Sequence, residues 1–187
     1  MKPEELLEIL SVAGKLKQTM RHCYTMPDRQ ESVAEHSWRI ALMGMLVANE
    51  FPDADMNKVI KMCLIHDLGE AFTGDIPTFW KTTQDENAEE NVLLDWVDSF
   101  PEKEKDEWRA LYKEMNDLET REAKIYKALD KLEAVISHNE SDIGTWLPLE
   151  YDLQLQYGKE NVQFSEYFKE FKEEIDKVTL KKIEDNQ

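Results

Sequence analysis

Ile65-His66-Asp67-Leu68-Gly69-Glu70 is the stretch on which the reading of this chain turns. Val59, Met62 and Cys63 lead into it at helical spacing, so His66 lies on the face of a helix that points inward. A histidine upstream, His36, and an aspartate in a late helical segment, Asp130, add to the His-Asp doublet. Two imidazoles and two carboxylates suit a divalent transition metal that activates water. A hydrolase on a helical scaffold is the leading expectation.

Working outward, Ser32-Val33-Ala34-Glu35 reads as a capping box that starts a helix at Ser32 and puts His36 in its first turns. Ile40, Met43 and Val47 continue the stripe from His36, which therefore faces the core. Asp55 can cap the helix that carries the doublet. A long helix from Glu119 to about Asp142 has the stripe Ile125, Leu129, Leu132 and Ile136, with Asp130 on its flank at the border of the core. Leu6, Leu7 and Leu10 mark a first helix, with Pro3 near its start, and Phe164, Phe168, Phe171, Ile175 and Val178 mark a last one. Between them, Arg21 to Gln30 with Pro27 and Asp28 reads as a loop, because no strand-like alternation persists. Gly69, Gly74 and Pro77 break the pattern after the doublet, and the acidic helical run from Asp85 to Glu119 reads as solvated surface. The expected fold is all-α, a helical bundle in a single domain.

Composition narrows the function. The chain has 187 residues, 41% hydrophobic and 34% charged, with six glycines, which disfavours turn-rich sheet. A net charge of −17 repels polyanions, so a nucleic-acid polymer is a poor partner, whereas a small phosphate ester can be met by a metal and a few cations in one pocket. Two cysteines without a C-x-x-C fit a reducing cytoplasm. The N-terminus carries neither a signal peptide nor a membrane span.

If His66 to Glu70 forms one helical turn, Glu70 stands beside whatever His66 and Asp67 hold. Those two bind the ion, and Glu70 handles a proton of the water or leaving oxygen. Taken singly, an inward histidine is more often a hydrogen-bonded core residue, and an aspartate beside Lys127 and Lys131 is more often salt-bridged. His138 is read as solvated or capping, His22 as a loop residue, and Cys63 as a small buried residue.

The set as a whole resembles the H...HD...D signature of the HD-domain metal-dependent phosphohydrolases. Arg21-His22-Cys23, Arg29, Glu31 through Arg39, His66 through Glu70 and Gly74-Asp75-Ile76-Pro77 are similar to its 5'-deoxynucleotidase branch. The motif-bearing part spans about residues 15–138, followed by C-terminal helices over 145–187. The resemblance implies an HD-domain helical bundle that cleaves (deoxy)nucleoside 5'-monophosphates. It implies one divalent ion, of manganese, cobalt, iron, nickel, zinc or magnesium, held by His36, His66, Asp67 and Asp130. Glu70 supports catalysis, Arg21 binds substrate, and Asp75, counted with the catalytic groups, contacts the sugar; apart from the resemblance, Arg21 can fork two donors onto a phosphate, and Lys17 and Arg29 can add positive potential. Tyr24 stands where many relatives have tryptophan near the base or sugar, and a homodimer is implied. The alternatives are a hydrolase of another phosphate ester, such as a cyclic nucleotide or guanosine polyphosphate, and a non-catalytic nucleotide-binding module.

Overall fold

The computed structural model describes residues 1–186. Helix α1 (Pro3–Ala13) has Pro3 at its start and Glu4 and Glu5 in its first turn, the positive end of the helix dipole. None of its residues is buried, and Leu6, Leu7 and Leu10 face outward.

The segment expected as a loop is instead an antiparallel hairpin, β1 (Met20–Met26) paired with β2 (Arg29–Ser32). Pro27 and Asp28 make its turn, with Asp28 in the left-handed region at φ 64°, which a short polar side chain tolerates. Its alternation is hidden because the inward positions are Arg21 and Cys23, so hydropathy does not swing with a period of two.

Ser32 ends the hairpin and caps α2 (Val33–Leu46). Its hydroxyl accepts from the Glu35 amide at 3.3 Å, and the Glu35 carboxylate accepts from the Ser32 amide at 2.9 Å, the capping box expected from the sequence. Asp55 caps α3 (Met56–Ile65) by accepting from the Lys58 amide at 3.1 Å. Thr120 does the same for α7 (Arg121–Glu140), accepting from Ala123 at 3.2 Å.

Helices α2, α3 and α7 pack against one another through Ile40, Val59, Met62, Ile125, Leu129 and Leu132, all fully buried. Each such side chain contributes about 1.5–3 kcal/mol. That seam fixes three backbones on which His36, His66 and Asp130 ride.

Helix α3 stops at Ile65, which corrects the expectation of one regular helical turn from His66 to Glu70. Beyond it the bonds tighten to three-residue spacing, Leu68 N to Ile65 O at 3.1 Å and Glu70 N to Asp67 O at 3.1 Å, before a four-residue α4 (Glu70–Thr73). Close packing enforces the tight turn. A Cβ on Gly69 would stand 2.7 Å from Glu89 Cγ of α5 (Thr83–Asp98). Tyr112 of α6 (Glu102–Asp117) donates its hydroxyl to the Ile65 carbonyl at 2.8 Å, satisfying an acceptor at the end of α3. Helices α5 and α6 are acidic and exposed on one side, but they bury Leu93, Val97, Leu111, Tyr112 and Met115 and so also wall the core.

Past α7, α8 (Glu150–Gln156) packs on α9 (Glu166–Glu184), and α9 packs on α7. Of the aromatic stripe, Phe168 is fully buried while Phe164 faces outward.

Candidate active site

Four side chains converge, His36 from α2, Asp130 from α7, and His66 and Asp67 from the tight turn that follows α3. His36 Nε2 lies 3.3 Å from Asp130 Oδ1 and 3.8 Å from Asp67 Oδ2. His66 Nε2 lies 2.9 Å from Asp67 Oδ2 and 3.7 Å from Asp130 Oδ1.

On the far side of each ring, Nδ1 is committed. His36 Nδ1 donates to the fully buried Glu133, and His66 Nδ1 donates to the Cys63 carbonyl at 3.0 Å. Both Nε2 atoms therefore face the shared space, where each offers a lone pair once a cation displaces its proton, the arrangement of metal-binding histidines. Among the described residues neither Nε2 has a partner in hydrogen-bond geometry, and Glu70 Oε2 has none either. An unpaired buried polar atom costs about 1–3 kcal/mol, against a net stability of about 5–15 kcal/mol. A bound divalent cation removes that cost at both imidazoles, so the donor set fits a metal.

The local field agrees with this fit. Burial pulls the His66 pKa down, but Asp67 and Asp130 outweigh it and raise it to about 9. Burial likewise pushes Asp130 up, yet Lys131, Lys127 and the two histidines hold its carboxyl well below the usual range. The carboxylates that hold protons on the imidazoles hold a divalent cation by the same attraction.

Behind His36 lies a second buried network. Ser137 Oγ stands 2.7 Å from Glu133 Oε1 and 3.1 Å from Glu31 Oε1. Arg21 reaches both acids, with Nε 3.5 Å from Glu31 Oε2 and Nη1 3.9 Å from Glu133 Oε2. Cys23 Sγ donates to Glu31 Oε2 at 3.1 Å. Glu31, His36 and Glu133 cluster closely enough to suggest an ion. The guanidinium and the Ser137 hydroxyl already occupy these carboxylates, so we assign them to holding Arg21 and orienting His36. Arg21 Nη1 has no hydrogen-bond partner among the described residues, which leaves a donor for an anion.

A cavity of about 210 Å³ opens in front of the cluster, lined by His36, Asp67, Asp130, Glu70, Asp75 and Arg21. Burial, then Asp67, Asp75 and Glu89, push the Glu70 carboxyl up to about 10, and its place beside the cluster suits it to exchanging a proton there. Asp75 is also raised, chiefly by burial.

Two expected residues stand apart. Lys17, at the end of the short turn that precedes the hairpin, lies in a shallow depression with Arg29, Glu35 and Trp38 instead of in the cavity. Tyr24 pairs with Gln30 across the hairpin and is not among the cavity-lining residues; His22 of the same strand lines it instead.

His138, expected to be solvated or capping, also lines the cavity, with Nε2 3.0 Å from Glu150 Oε1 and Nδ1 2.9 Å from the Ala134 carbonyl. Lys81, Lys127 and Lys131 supply cations that the sequence reading did not place in the site. Lys127 Nζ and Lys131 Nζ lie 3.1 Å and 3.4 Å from Asp130 Oδ2. The signal was present in the sequence, since Lys127, Asp130, Lys131, Ala134 and His138 fall on one face of a single helix.

Comparison with known proteins agrees with this geometry. The HD-domain family model matches residues 13–172. The 5'-deoxynucleotidase HDDC2 of Dictyostelium discoideum is 33% identical over 72% of this chain and 76% of its own length. The 5'-deoxynucleotidase HDDC2 of Homo sapiens is 30% identical over 72% of this chain and 67% of its own. A predicted metal-dependent phosphohydrolase from Magnetospirillum magnetotacticum superposes with a TM-score of 0.79 at 27% identity, covering 96% of this chain and 93% of that one. The chain belongs to the HD-domain family, in the branch of these 5'-deoxynucleotidase-like proteins.

Proposed function

We propose that the cavity hydrolyses (deoxy)nucleoside 5'-monophosphates to nucleoside and phosphate, with His36, His66, Asp67 and Asp130 holding one divalent ion. The observation that carries this reading is the pair of buried imidazoles, each with Nδ1 tied back and Nε2 unpartnered beside two carboxylates. When bound, the ion polarises the phosphoryl oxygens and lowers the pKa of its water from about 15.7 toward about 7. Arg21, aligned by Glu31 and Glu133, offers its free Nη1 to the phosphate, and Lys127 and Lys131 add positive charge on the α7 wall. Glu70 donates its proton to the departing 5'-oxygen, which leaves as the sugar alcohol. Asp75 lines the cavity next to these groups, where a sugar hydroxyl can donate to it.

The charge of the cavity favours a monophosphate: its four cations, Arg21, Lys81, Lys127 and Lys131, stand among several carboxylates, which suits a single phosphate better than a highly charged polyphosphate. The test is phosphate release from a panel of nucleoside monophosphates, cyclic nucleotides and polyphosphates by protein loaded with each candidate metal. Release from the monophosphates is expected; turnover confined to cyclic or polyphosphorylated compounds would contradict the reading.

The same reading takes the chain as one HD domain acting in the cytoplasm as a homodimer. Two free, buried cysteines support a reducing compartment. Trp38, Leu42, Met45 and Leu46, exposed along the outer side of α2, support a self-association face.

A further inference from the structure

One end of the cavity lies beyond the metal cluster and the phosphate cations. Two contacts set α8 antiparallel to α7, Lys131 Nζ to Tyr157 Oη at 2.9 Å and His138 Nε2 to Glu150 Oε1 at 3.0 Å. Gln154 lies in the chain between those two contacts, and it lines the cavity together with Ala134. With a rise of about 1.5 Å per residue, Ala134 is ~6 Å and His138 ~12 Å along α7 from Asp130. A phosphate at the Asp130 end thus places the rest of a nucleotide along this wall, where the small Ala134 leaves room.

Gln154 lines the cavity and is only 4% exposed. Its backbone carbonyl accepts from Lys172 Nζ at 3.2 Å, and no group among the described residues hydrogen-bonds its side-chain amide. The amide atoms are not among the buried atoms that lack a partner, so they keep contact with solvent, and in a residue that lines the cavity they are available to its occupant. The rings of His22, Phe79 and His138 line the same cavity, His22 edge-on to Phe79 at 5.7 Å between centroids and tilted to His138 at 6.1 Å. Flat rings with one free amide match a planar heterocycle that carries adjacent donor and acceptor groups.

We propose that Gln154 hydrogen-bonds the edge of the substrate's nucleobase, which lies among the rings of Phe79, His22 and His138. The inference rests on the nucleotide reading above. An amide can turn over to present its donor and acceptor in either order, so the wild-type site accepts all four bases while still requiring a base.

The test uses the metal-loaded full chain and its Gln154→Leu and Gln154→Glu variants. Each is assayed for kcat/KM on the four deoxynucleoside 5'-monophosphates and on deoxyribose 5-phosphate. Leucine is expected to lower the ratio of nucleotide to baseless substrate about tenfold, the size of one lost base contact. Glutamate only accepts, so it is expected to favour guanine, whose N1–H and N2–H donate side by side, about tenfold over adenine and cytosine. Ratios that stay at wild-type values in both variants, including an equal loss on all five substrates, overturn the proposal. If the wild type cleaves none of the five, the nucleotide reading has failed, and calorimetry with free deoxynucleosides then decides the inference by itself. Binding weakened by Gln154→Leu supports it; no binding to the wild type, or binding equal in the two, overturns it.

Discussion

Glu70 is a buried acid whose Oε2 lacks a partner and whose pKa is pushed up to about 10 by burial and by Asp67, Asp75 and Glu89. Glu70→Gln keeps the shape and removes the transferable proton, so kcat is expected to fall about 10²–10⁴-fold with metal content unchanged. Steady-state phosphate release with metal analysis checks this, and an unaltered kcat would count against the proton role. Glu133 acts one step behind the ion by orienting His36, and Glu133→Gln is expected to weaken metal affinity about 10–100-fold in a chelator-competition titration. Burial pushes the Glu133 carboxyl up, but His36 and Arg21 outweigh it and hold it at about 2, below its ordinary 4.5. A lowered acid contributes stability in full above about pH 4.5 and loses it as the pH falls toward 2, so the denaturation midpoint should depend less on pH over that window in Glu133→Gln. His36 and Asp130 were legible in the sequence because each sits at a helical position whose side can be counted, and His66 and Asp67 because they directly follow the buried stripe of α3. Glu133 was not, because a glutamate on a helix ordinarily reads as solvated, and it is the contacts with His36, Arg21 and Ser137 that give it a role inside the bundle.

At the level of elements, capped helices were the readable part. Ser32 with Glu35, and Asp55 ahead of α3, announce their helices through side-chain chemistry that acts within a few residues. The β1–β2 hairpin and the break after Ile65 escaped because their causes are distant. The hairpin's inner face is built from charged and sulfur side chains that bond to Glu31 and Glu133, and the tight turn depends on Gly69 meeting α5. A second close approach ties α8 to the site. Gly158, just past α8, has φ 77°, and a Cβ there would stand 3.0 Å from Lys131 Cβ. Gly158→Ala is expected to cost about 1–2 kcal/mol from the left-handed backbone alone and to press on Lys131 beside Asp130. Urea unfolding would register a lower midpoint at an unchanged slope; an unshifted midpoint would mean the junction relaxes freely.

Across the whole molecule, a chain of net charge −17 gathers Arg21, Lys81, Lys127 and Lys131 around one cavity that Asp67, Asp75, Glu86, Asp130 and Glu150 also line, so it takes a bound divalent ion to tip the local field toward a phosphate. Because the ion's ligands come from α2, the turn that follows α3, and α7, its binding should stabilise the entire bundle. At a hundredfold excess over Kd the gain is about 2.7 kcal/mol, or about 5–10 °C in Tm at ~2–4 °C per kcal/mol. Differential scanning calorimetry of chelator-stripped and reloaded protein measures it, and an identical Tm would separate the ion from the core. The measurement closest to the central claim is made on wild type and Asp67→Ala, both stripped, reloaded with divalent metal and matched in helix content. Bound ion per chain and phosphate released from a deoxynucleoside 5'-monophosphate are read on the same samples. The expected result is wild-type release only when loaded, with Asp67→Ala both poorly loaded and inactive; an Asp67→Ala protein that keeps its metal and its full activity would contradict the assignment.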